Sequence, residues 1–362
     1  MIYILILIFI AVFAVIAFVT MHPVFGGKPS KDLYSELPNY SNGKFVNLEP
    51  VKTSMSASEI YSLMRDSLTG RTDRKPVSQV PLHSINWGQV NGEADSVTWF
   101  GHSTFLLSMD TKKFLFDPMF GSTASPVSFA GSKRYSKDLL PIIDELPPID
   151  AVFLTHDHYD HLDYPSILRL KGKVSTFFVP IGVGAHLVRW GVQKENIQEL
   201  NWWEEMEFKG LQVALTPSRH FSGRNLFNQN STLWGGWVIL GNQTRFYTSG
   251  DGGFGEHFKE IGKKYGPFDL TLIEGGQYDV RWLNSHMTPE EAIQAHRDVK
   301  GKNMMLIHWG AFTLAYHGWK EPVERVLIDS KKANVNLITP KLGETVNIGE
   351  EWPVPSSRWW EM

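Results

Sequence analysis

The chain has 362 residues, 42% of them hydrophobic and 20% charged, so it can bury a large core and is not a largely disordered protein. Its net charge of −3 gives no general reason to expect nucleic acid as a partner, because nucleic-acid binding usually needs a basic face. The absence of Cys excludes disulfides, thiolate nucleophiles and Cys-ligated zinc, so any metal must be held by His and carboxylate side chains.

The first twenty residues are apolar. No charged residue occurs between Ile2 and Val19, and a helix over this run would be roughly 27 Å long, close to the hydrocarbon thickness of a bilayer. The sequence therefore predicts a transmembrane anchor or signal segment over residues 1–20. An uncleaved anchor is favoured, because no Lys or Arg precedes the run and it is long for the apolar part of a signal peptide. The basic residues that follow only weakly favour a cytoplasmic location for the rest of the chain, so the side of the membrane stays open.

Residues 21–93 form a predicted N-terminal extension, rich in Ser, Pro, Asn and Gly, with one amphipathic helix at 56–68. Ser56 is a suitable N-cap and Glu59 follows three residues later, which is the pattern of a capping box. Four apolar residues then fall at helical spacing: Ile60, Leu63, Met64 and Leu68. We expect this face to pack on the domain, with membrane contact as the alternative.

Residues 94–362 form a predicted domain of short apolar strands, broken by turns and interspersed with helices. The eleven predicted strands are SVTWF, STFLLSM, KFLFDP, AVFLT, VSTFFVP, LQVALTP, GGWVIL, TRFYTSGD, LTLIEGG, NMMLIHWG and NVNLITP. Helices are predicted at 163–170, 181–190, 255–264, 288–299 and 321–332. This alternation predicts sheets stacked as a sandwich and covered by helices.

The stretch FLTHDHYDHLDY, residues 153–164, has three His and three Asp where the buried strand AVFLT ends. A strand end that leads into a helix is a rigid place to mount ligands, and the pattern His-x-His-x-Asp-His is unlike an ordinary polar loop. Further candidate ligands also follow apolar strands: His220, Asp251 and His308. A metal site needs three or four such ligands, and two neighbouring metals need a bridging group.

The order of these residues resembles that of the metallo-β-lactamase superfamily. The flanking blocks are similar to its N-acyl-phosphatidylethanolamine-hydrolysing phospholipase D branch, and the resemblance extends from about Ser96 to the C-terminus. It is carried by TWFGHSTFLL, FLFDPMF, SPVSFAGSKR, ELPPIDAVFLTHDHYDHLDY, ELNWWEE, TPSRHFSGR, LWGGWVILG, EIGKKYGPFDL, HMTPEEAIQAHRDV and IHWGAFTLA. It implies that residues 94–362 are a metallo-β-lactamase-like hydrolase domain with an α/β fold of the αββα sandwich type.

The resemblance also implies two zinc ions, with Asp251 bridging them. The ligands would be His156, His158 and His220 for the first ion, and Asp160, His161 and His308 for the second. Asp160 and Asp251 would be the catalytic carboxylates. The implied reaction is attack of a metal-bound hydroxide on a membrane phospholipid, which releases N-acylethanolamine and phosphatidic acid. The resemblance further suggests a homodimer.

Other residues have less certain roles. Asp117 either orients the His loop as an acceptor or caps a turn. His286 either caps a helix or stands where that helix faces a phosphate. His102 is expected to be structural, and Asp157 to point away from the metals. Glu274 is an acid where the branch usually has an apolar or neutral residue, which is a departure from the pattern of the branch.

Two alternatives stay open. One is a hydrolase of the same fold that acts on a lactone, a cyclic phosphodiester or another small metabolite. The other is a non-catalytic binding protein, which we would expect to have lost ligands, whereas all seven are present here.

Overall fold

A computed structural model describes residues 2–52, 55–225, 227–349 and 358–361. The chain begins with helix α1 (Ile2–Met21), which has no buried residue. Among the described residues, α1 is the one helix that is long and apolar enough to cross a membrane, a test of length and composition that a signal sequence would also pass. It is therefore a candidate membrane anchor.

The extension after α1 contains a two-stranded hairpin and two helices: β1 (Tyr40–Ser41), β2 (Lys44–Phe45), α2 (Ala57–Thr69) and α3 (Trp87–Val90). Three of its side chains, Tyr34, Phe45 and Val80, are buried in the same apolar core as the large sheets that follow. This part of the extension is therefore integral to the domain.

Two seven-stranded sheets form the centre of the protein. The strands that follow α3 in the first half of the domain are β3 (Ser96–Trp99), β4 (Phe105–Met109), β5 (Lys112–Phe116), β6 (Thr123–Ala124), β7 (Ser132–Lys133), β8 (Ala151–Phe153), β9 (Phe177–Pro180) and β10 (Ile197–Leu200). The second half provides β11 (Glu205–Phe208), β12 (Leu211–Thr216), β13 (Gly236–Leu240), β14 (Arg245–Thr248), β15 (Phe268–Glu274), β16 (Gly301–Ile307), β17 (Asn336–Ile338) and β18 (Thr345–Asn347).

The first sheet has the order β10-β9-β8-β5-β4-β3-β18, and the second has the order β11-β12-β13-β14-β15-β16-β17. In the second sheet, β11 to β14 pair antiparallel, whereas β14 to β17 pair parallel. The final strand, β18, returns to the first sheet and pairs antiparallel with β3. Strands β6 and β7 form a separate short hairpin.

Helices cover the outer faces of the sheets. The first sheet is associated with α4 (Ile142–Glu145), α5 (Tyr164–Leu170) and α6 (Gly184–Arg189), and the second with α7 (His257–Lys264), α8 (Pro289–Asp298) and α9 (Glu321–Ala333). The arrangement is the αββα sandwich that the family resemblance implied, and it agrees with the stacked sheets expected from the strand pattern.

Alternating side chains of the first sheet fill two different cores. Phe105 and Leu107 point into the core between the sheets, whereas Leu106 points to the core beneath the outer helices, as the two-residue period of a strand requires. Between the sheets, four parallel rings from neighbouring strands stack with centroids 4.5–4.8 Å apart: Phe105, Phe116, Phe153 and Phe178. This stacking fixes β4, β5, β8 and β9 side by side, and two of these strands, β5 and β8, lead directly into the site.

Helix α2 begins with the predicted capping box between Ser56 and Glu59, but its packing differs from the expectation. No residue of α2 is buried, and Ile60, Met64 and Leu68 are exposed to solvent. The prediction that this apolar face packs on the domain is wrong. The opposite, more polar face contacts the domain instead, because Arg281 donates hydrogen bonds to Ser62 and Asp66.

Candidate metal centre

The His/Asp stretch forms the loop between β8 and α5, and it ends at Asp163, the N-cap of α5. The other candidate ligands arrive from the second sheet. His220 lies after β12, Asp251 after β14, and His308 directly after β16. Ends of strands from both sheets therefore meet at one edge of the sandwich, and this edge holds the site.

His156, His158 and His220 form the first group of candidate ligands. The distance from His156 Nε2 to His158 Nδ1 is 2.9 Å, and that from His220 Nε2 to the same atom is 3.3 Å. One nitrogen from each of the three rings lies within 4.8 Å of the other two. Three imidazole nitrogens that converge in this way are suitable ligands for one transition-metal ion.

Asp160, His161 and His308 form the second group. Asp160 Oδ2 lies 3.5 Å from His161 Nε2 and 4.0 Å from His308 Nε2. His102 belongs to the same cluster, because its Nε2 lies 2.8 Å from Asp160 Oδ2. The structure thus adds His102 as a fourth side chain to this second group of three predicted ligands.

Asp251 lies between the two groups. Its Oδ2 is 3.0 Å from His161 Nε2, 3.8 Å from His156 Nε2 and 4.0 Å from His220 Nε2. Its Oδ1 is 3.1 Å from His308 Nδ1. One carboxylate therefore contacts imidazoles of both groups, and the structure brings all seven predicted residues together.

Hydrogen bonds from outside the cluster orient two of the imidazoles. His161 Nδ1 donates to Asp117 Oδ2 at 2.8 Å, and His220 Nδ1 donates to the carbonyl of Ser285 at 3.0 Å. Each bond places the proton on Nδ1, so Nε2 presents its lone pair to the cluster. The prediction that Asp117 orients the His loop is confirmed.

The chemistry of the cluster fits a bound cation. His161 Nε2 and Asp251 Oδ1 are buried and make no well-aligned hydrogen bond within the described residues. Buried polar atoms are nearly always satisfied, so two orphaned acceptors in one cluster indicate a missing cationic partner. Imidazole nitrogen and carboxylate oxygen, without thiolate, are ligands that suit zinc and similar metals.

The protonation equilibria agree with this interpretation. Burial lowers the pKa of His156, His220 and His308 well below the usual imidazole value, which keeps them in the neutral form that binds metals. Burial also lowers the pKa of His161, but the surrounding carboxylates, first among them Asp251, outweigh it and raise this pKa well above the usual value. A cation bound beside His161 would therefore displace a proton.

Three residues of the site have left-handed backbone conformations without being glycine. The φ angles are 56° for His102, 37° for Asp117 and 67° for His308. Such conformations cost non-glycine residues free energy and persist where the surrounding structure fixes them. Their concentration at this edge marks it as a functional region, and sequence alone gives no signal for it.

Glu274 and His286 form a buried pair beside the cluster. Glu274 Oε1 accepts a hydrogen bond from the Met287 amide at 2.8 Å and lies 3.6 Å from His286 Nδ1. Burial raises the pKa of Glu274 to about 7. Thr288 rather than His286 caps α8, so the capping interpretation of His286 is wrong; its ring lines the pocket instead.

Asp157 points away from the candidate ligands, as predicted. Its carboxylate contacts His186 Nε2 at 3.1 Å, Thr232 Oγ1 at 3.0 Å and the Gly223 amide at 2.7 Å. The residue is therefore part of the support that holds the loop in place.

A pocket of about 300 Å³ opens onto the cluster. Its floor contains His158, Asp160, Asp251, His286 and His308. Its walls carry two cations and several apolar or aromatic side chains: Lys52, Arg281, Met55, Phe221, Trp282 and Leu314. A reacting group can therefore reach the candidate metal site from solvent.

Residues 112–309 match a family described as the beta-lactamase superfamily domain, which covers more than half of the chain. The chain belongs to the metallo-β-lactamase superfamily. A protein of the hyperthermophilic archaeon Ignicoccus hospitalis, described as the metallo hydrolase Igni18, has a similar fold. The similarity covers 71% of this chain and 99% of that one, with a TM-score of 0.55 and 24% identity.

Sequence relatives place the chain more narrowly in the superfamily. It is 39% identical over 330 residues to a protein of Mycobacterium tuberculosis named only as uncharacterized, covering 90% of this chain and 88% of that one. It is 35% identical over 292 residues to N-acyl-phosphatidylethanolamine-hydrolyzing phospholipase D 1 of Caenorhabditis elegans, covering 75% and 82%. The chain is thus a metal-dependent hydrolase of the branch that resembles these phospholipases D.

Proposed function

We propose that this metallo-β-lactamase superfamily member is a zinc-dependent phosphodiesterase that hydrolyses N-acyl-phosphatidylethanolamine to N-acylethanolamine and phosphatidic acid. The observation that carries the proposal is the position of Asp251, whose carboxylate lies within 4.0 Å of imidazole nitrogens from both ligand groups. A carboxylate in that position suits a bridge between two cations.

The proposed ligands keep their predicted roles. His156, His158 and His220 would hold one ion, and Asp160, His161 and His308 would hold the other, with Asp251 shared. Two zinc ions supply such a site with Lewis acidity, which activates water and stabilises negative charge on phosphoryl oxygens.

The chain's own contribution is to orient and shield the ligands. Asp117 holds the His161 ring from one side, and the carbonyl of Ser285 holds the His220 ring from another. The imidazoles at positions 156, 161, 220 and 308 are almost fully buried, and the pocket gives bulk water access to the site. This arrangement keeps the ligand geometry fixed during turnover.

The pocket walls suit an anionic phosphodiester. The side chains of Lys52 and Arg281 both line the pocket, and each is already paired with an acid, Glu59 and Asp279 respectively. A phosphate oxygen entering the pocket would share these cations and form charge-assisted hydrogen bonds with them.

The surroundings of the pocket suit a lipid. A cavity of about 300 Å³ can hold a headgroup but not two long acyl chains, which would have to lie outside it. Exposed apolar side chains stand on the neighbouring elements, including Met55 on the pocket wall, Met64 and Leu68 of α2, and Val280 next to Arg281. Exposed apolar groups of this kind are typical of a membrane contact.

The proposal includes an uncleaved α1 that spans the membrane. With no charged residue between Ile2 and Val19, this helix would hold the enzyme at the bilayer that contains its substrate. The substrate would then reach the pocket by lateral diffusion in the membrane.

A second candidate is a hydrolase of the same fold that acts on a lactone, a cyclic phosphodiester or another small metabolite. The small volume of the pocket favours it, because such a molecule could be enclosed completely.

The test measures phosphatidic acid released from N-acyl-phosphatidylethanolamine in detergent, together with the metal content of the purified chain. We expect the wild type to release phosphatidic acid and to contain about two zinc ions per chain. We expect Asp251→Asn to release no phosphatidic acid and to contain about one zinc ion fewer. Asp329→Asn is the matched control, because Asp329 lies on α9 and pairs with Lys332 at the surface.

Different failures have different meanings. Full zinc content without release would exclude this substrate while leaving the metal site in place, and lactones and cyclic phosphodiesters would then be screened. A wild-type chain that retains no metal would contradict the hydrolase mechanism itself.

A further inference from the structure

The exit of α1 is fixed rigidly to the domain. Three side chains of the domain donate hydrogen bonds to backbone carbonyls just after the apolar run: Arg189 to Met21 at 2.6 Å, Trp190 to Pro23 at 2.6 Å, and Arg224 to Val24 at 2.9 Å. Packing is so close at Gly27 that a Cβ atom there would lie 2.0 Å from the Ala185 carbonyl oxygen. The membrane-proximal surface of the domain therefore has a defined position relative to the helix.

A second cavity, of about 500 Å³, lies at this exit and is larger than the pocket over the metal cluster. Its walls come from the last turn of α1, from residues 25–29, from the turn between β1 and β2, from Arg189 of α6, and from the loop after Arg224. None of the candidate metal ligands lines it. The cavity is thus separate from the proposed active site.

The charged side chains that line this cavity are all positive. Lys28, Lys44 and Arg189 line it, and its described lining residues include no carboxylate. Within the described part of the chain, neither lysine ammonium forms a hydrogen bond or an ion pair, and the partner of Arg189 is the neutral carbonyl of Met21. Three cations without a counter-charge favour an anionic ligand.

The position of the cavity indicates where that anion would come from. Val19 and Thr20, at the end of the apolar helix, form part of its wall. If α1 spans a bilayer, these residues leave the hydrocarbon region, so the cavity lies at the depth of the lipid headgroups. Phe227, which is 83% exposed on the same wall, suits the interface between headgroups and acyl chains.

We propose that this juxtamembrane cavity binds the headgroup of an anionic phospholipid from the leaflet that faces the domain. Lys28, Lys44 and Arg189 bind the phosphate, and the acyl chains remain in the bilayer beside α1. Because the α1 exit is rigidly held, a lipid bound here fixes the orientation of the whole domain on the membrane. The proposal rests on the retention of α1 and not on the chemistry of the metal site.

The test uses the full chain in detergent and native mass spectrometry to count bound lipids. Phosphatidylglycerol and phosphatidylcholine of identical acyl chains are titrated separately. We expect one phosphatidylglycerol to bind at roughly a tenth of the concentration needed for phosphatidylcholine, because only the former has a net negative charge. The double variant Lys28→Gln/Lys44→Gln is expected to abolish this difference.

The matched control is Lys75→Gln/Lys263→Gln, which removes the same charge from two exposed lysines that do not line the cavity. An equal loss in both double variants would overturn the site, since the preference would then reflect net charge alone. Displacement of the lipid by an equal concentration of inorganic phosphate would identify a site for a free anion instead. Recovery of a chain lacking residues 1–20 from its native membrane would also contradict the proposal.

The test is independent of the proposed reaction, because binding is counted without turnover. A chain that binds phosphatidylglycerol but releases no phosphatidic acid would retain the juxtamembrane site and lose the substrate assignment. A chain that releases phosphatidic acid but shows no preference for phosphatidylglycerol would support the proposed phospholipase activity and exclude the juxtamembrane site.

Discussion

At the scale of single residues, Asp117 acts on the site through His161. Its Oδ2 accepts a hydrogen bond from His161 Nδ1, and its Oδ1 accepts one from the Thr155 amide at 2.8 Å. The carboxylate therefore connects the His161 ring to the end of β8. We expect Asp117→Asn to lower zinc affinity by about 10–100-fold, the usual effect of losing such a partner. Competition with a chromophoric chelator measures this affinity without relying on activity.

The control for this change is Asp150→Asn. The Asp150 carboxylate also accepts a backbone amide, that of Lys113, but it lies at the opposite end of β8, away from the cluster. Equal zinc affinity of Asp117→Asn and the wild type would show that Asp117 serves only the backbone of the turn.

The seven candidate ligands could be predicted from sequence because each follows an apolar strand, and four of them fall within six residues of one another. The contact between His102 and Asp160 could not, since these residues are 58 positions apart and lie on different loops. The contact between Glu274 and His286 could not be predicted from sequence either. Residue type indicates that Glu274 is unusual, but only the fold shows that it is buried beside the cluster.

At the scale of elements, α2 has the most direct bearing on substrate choice. The helix stands next to the pocket, because Arg281 contacts both the polar face of α2 and the pocket interior, and the apolar stripe on its other face is exposed. We expect Met64→Ser/Leu68→Ser to raise the vesicle concentration needed for half-maximal turnover about tenfold, since each substitution removes apolar surface that would enter the membrane. Turnover of a short-chain, monomeric substrate should be unchanged.

The matched pair for this experiment is Leu168→Ser/Ile328→Ser. These exposed residues lie on α5 and α9, which cover the outer faces of the sandwich. If the two double variants raised the vesicle concentration needed for half-maximal turnover equally, membrane docking through α2 would be refuted.

All eleven predicted strands are present, because buried strands carry the apolar runs from which they were predicted. Strands β10, β11 and β18 of the two large sheets were not predicted. All three lie at sheet edges, and β10 (IQEL) and β11 (EMEF) are rich in polar residues, so these two lack a strong apolar pattern. The packing of α2 was predicted wrongly for another reason. Amphipathic spacing identifies an apolar face but does not identify what covers that face.

At the scale of the whole molecule, the segment after α1 and the His/Asp loop share one support. The buried Arg224 side chain donates to the carbonyl of Val24 with Nε and Nη2, and to those of Asp157 and Leu162 with Nη1. Its guanidinium also lies 4.1 Å from the centre of the Tyr159 ring. One side chain therefore joins the segment after α1 to the loop that provides four candidate ligands.

We expect Arg224→Met to loosen both segments together. Removing these charged donors leaves three buried carbonyls without a partner, and the free energy of unfolding should fall by about 3 kcal/mol. Hydrogen exchange followed by mass spectrometry should become faster in residues 22–26 and 156–163 alike, and zinc should be released to chelators more readily. Arg169→Met is the control, because Arg169 contacts Leu140 and Asp144 at the surface. Faster exchange in only one of the two segments would mean that the segment after α1 and the His/Asp loop are supported independently.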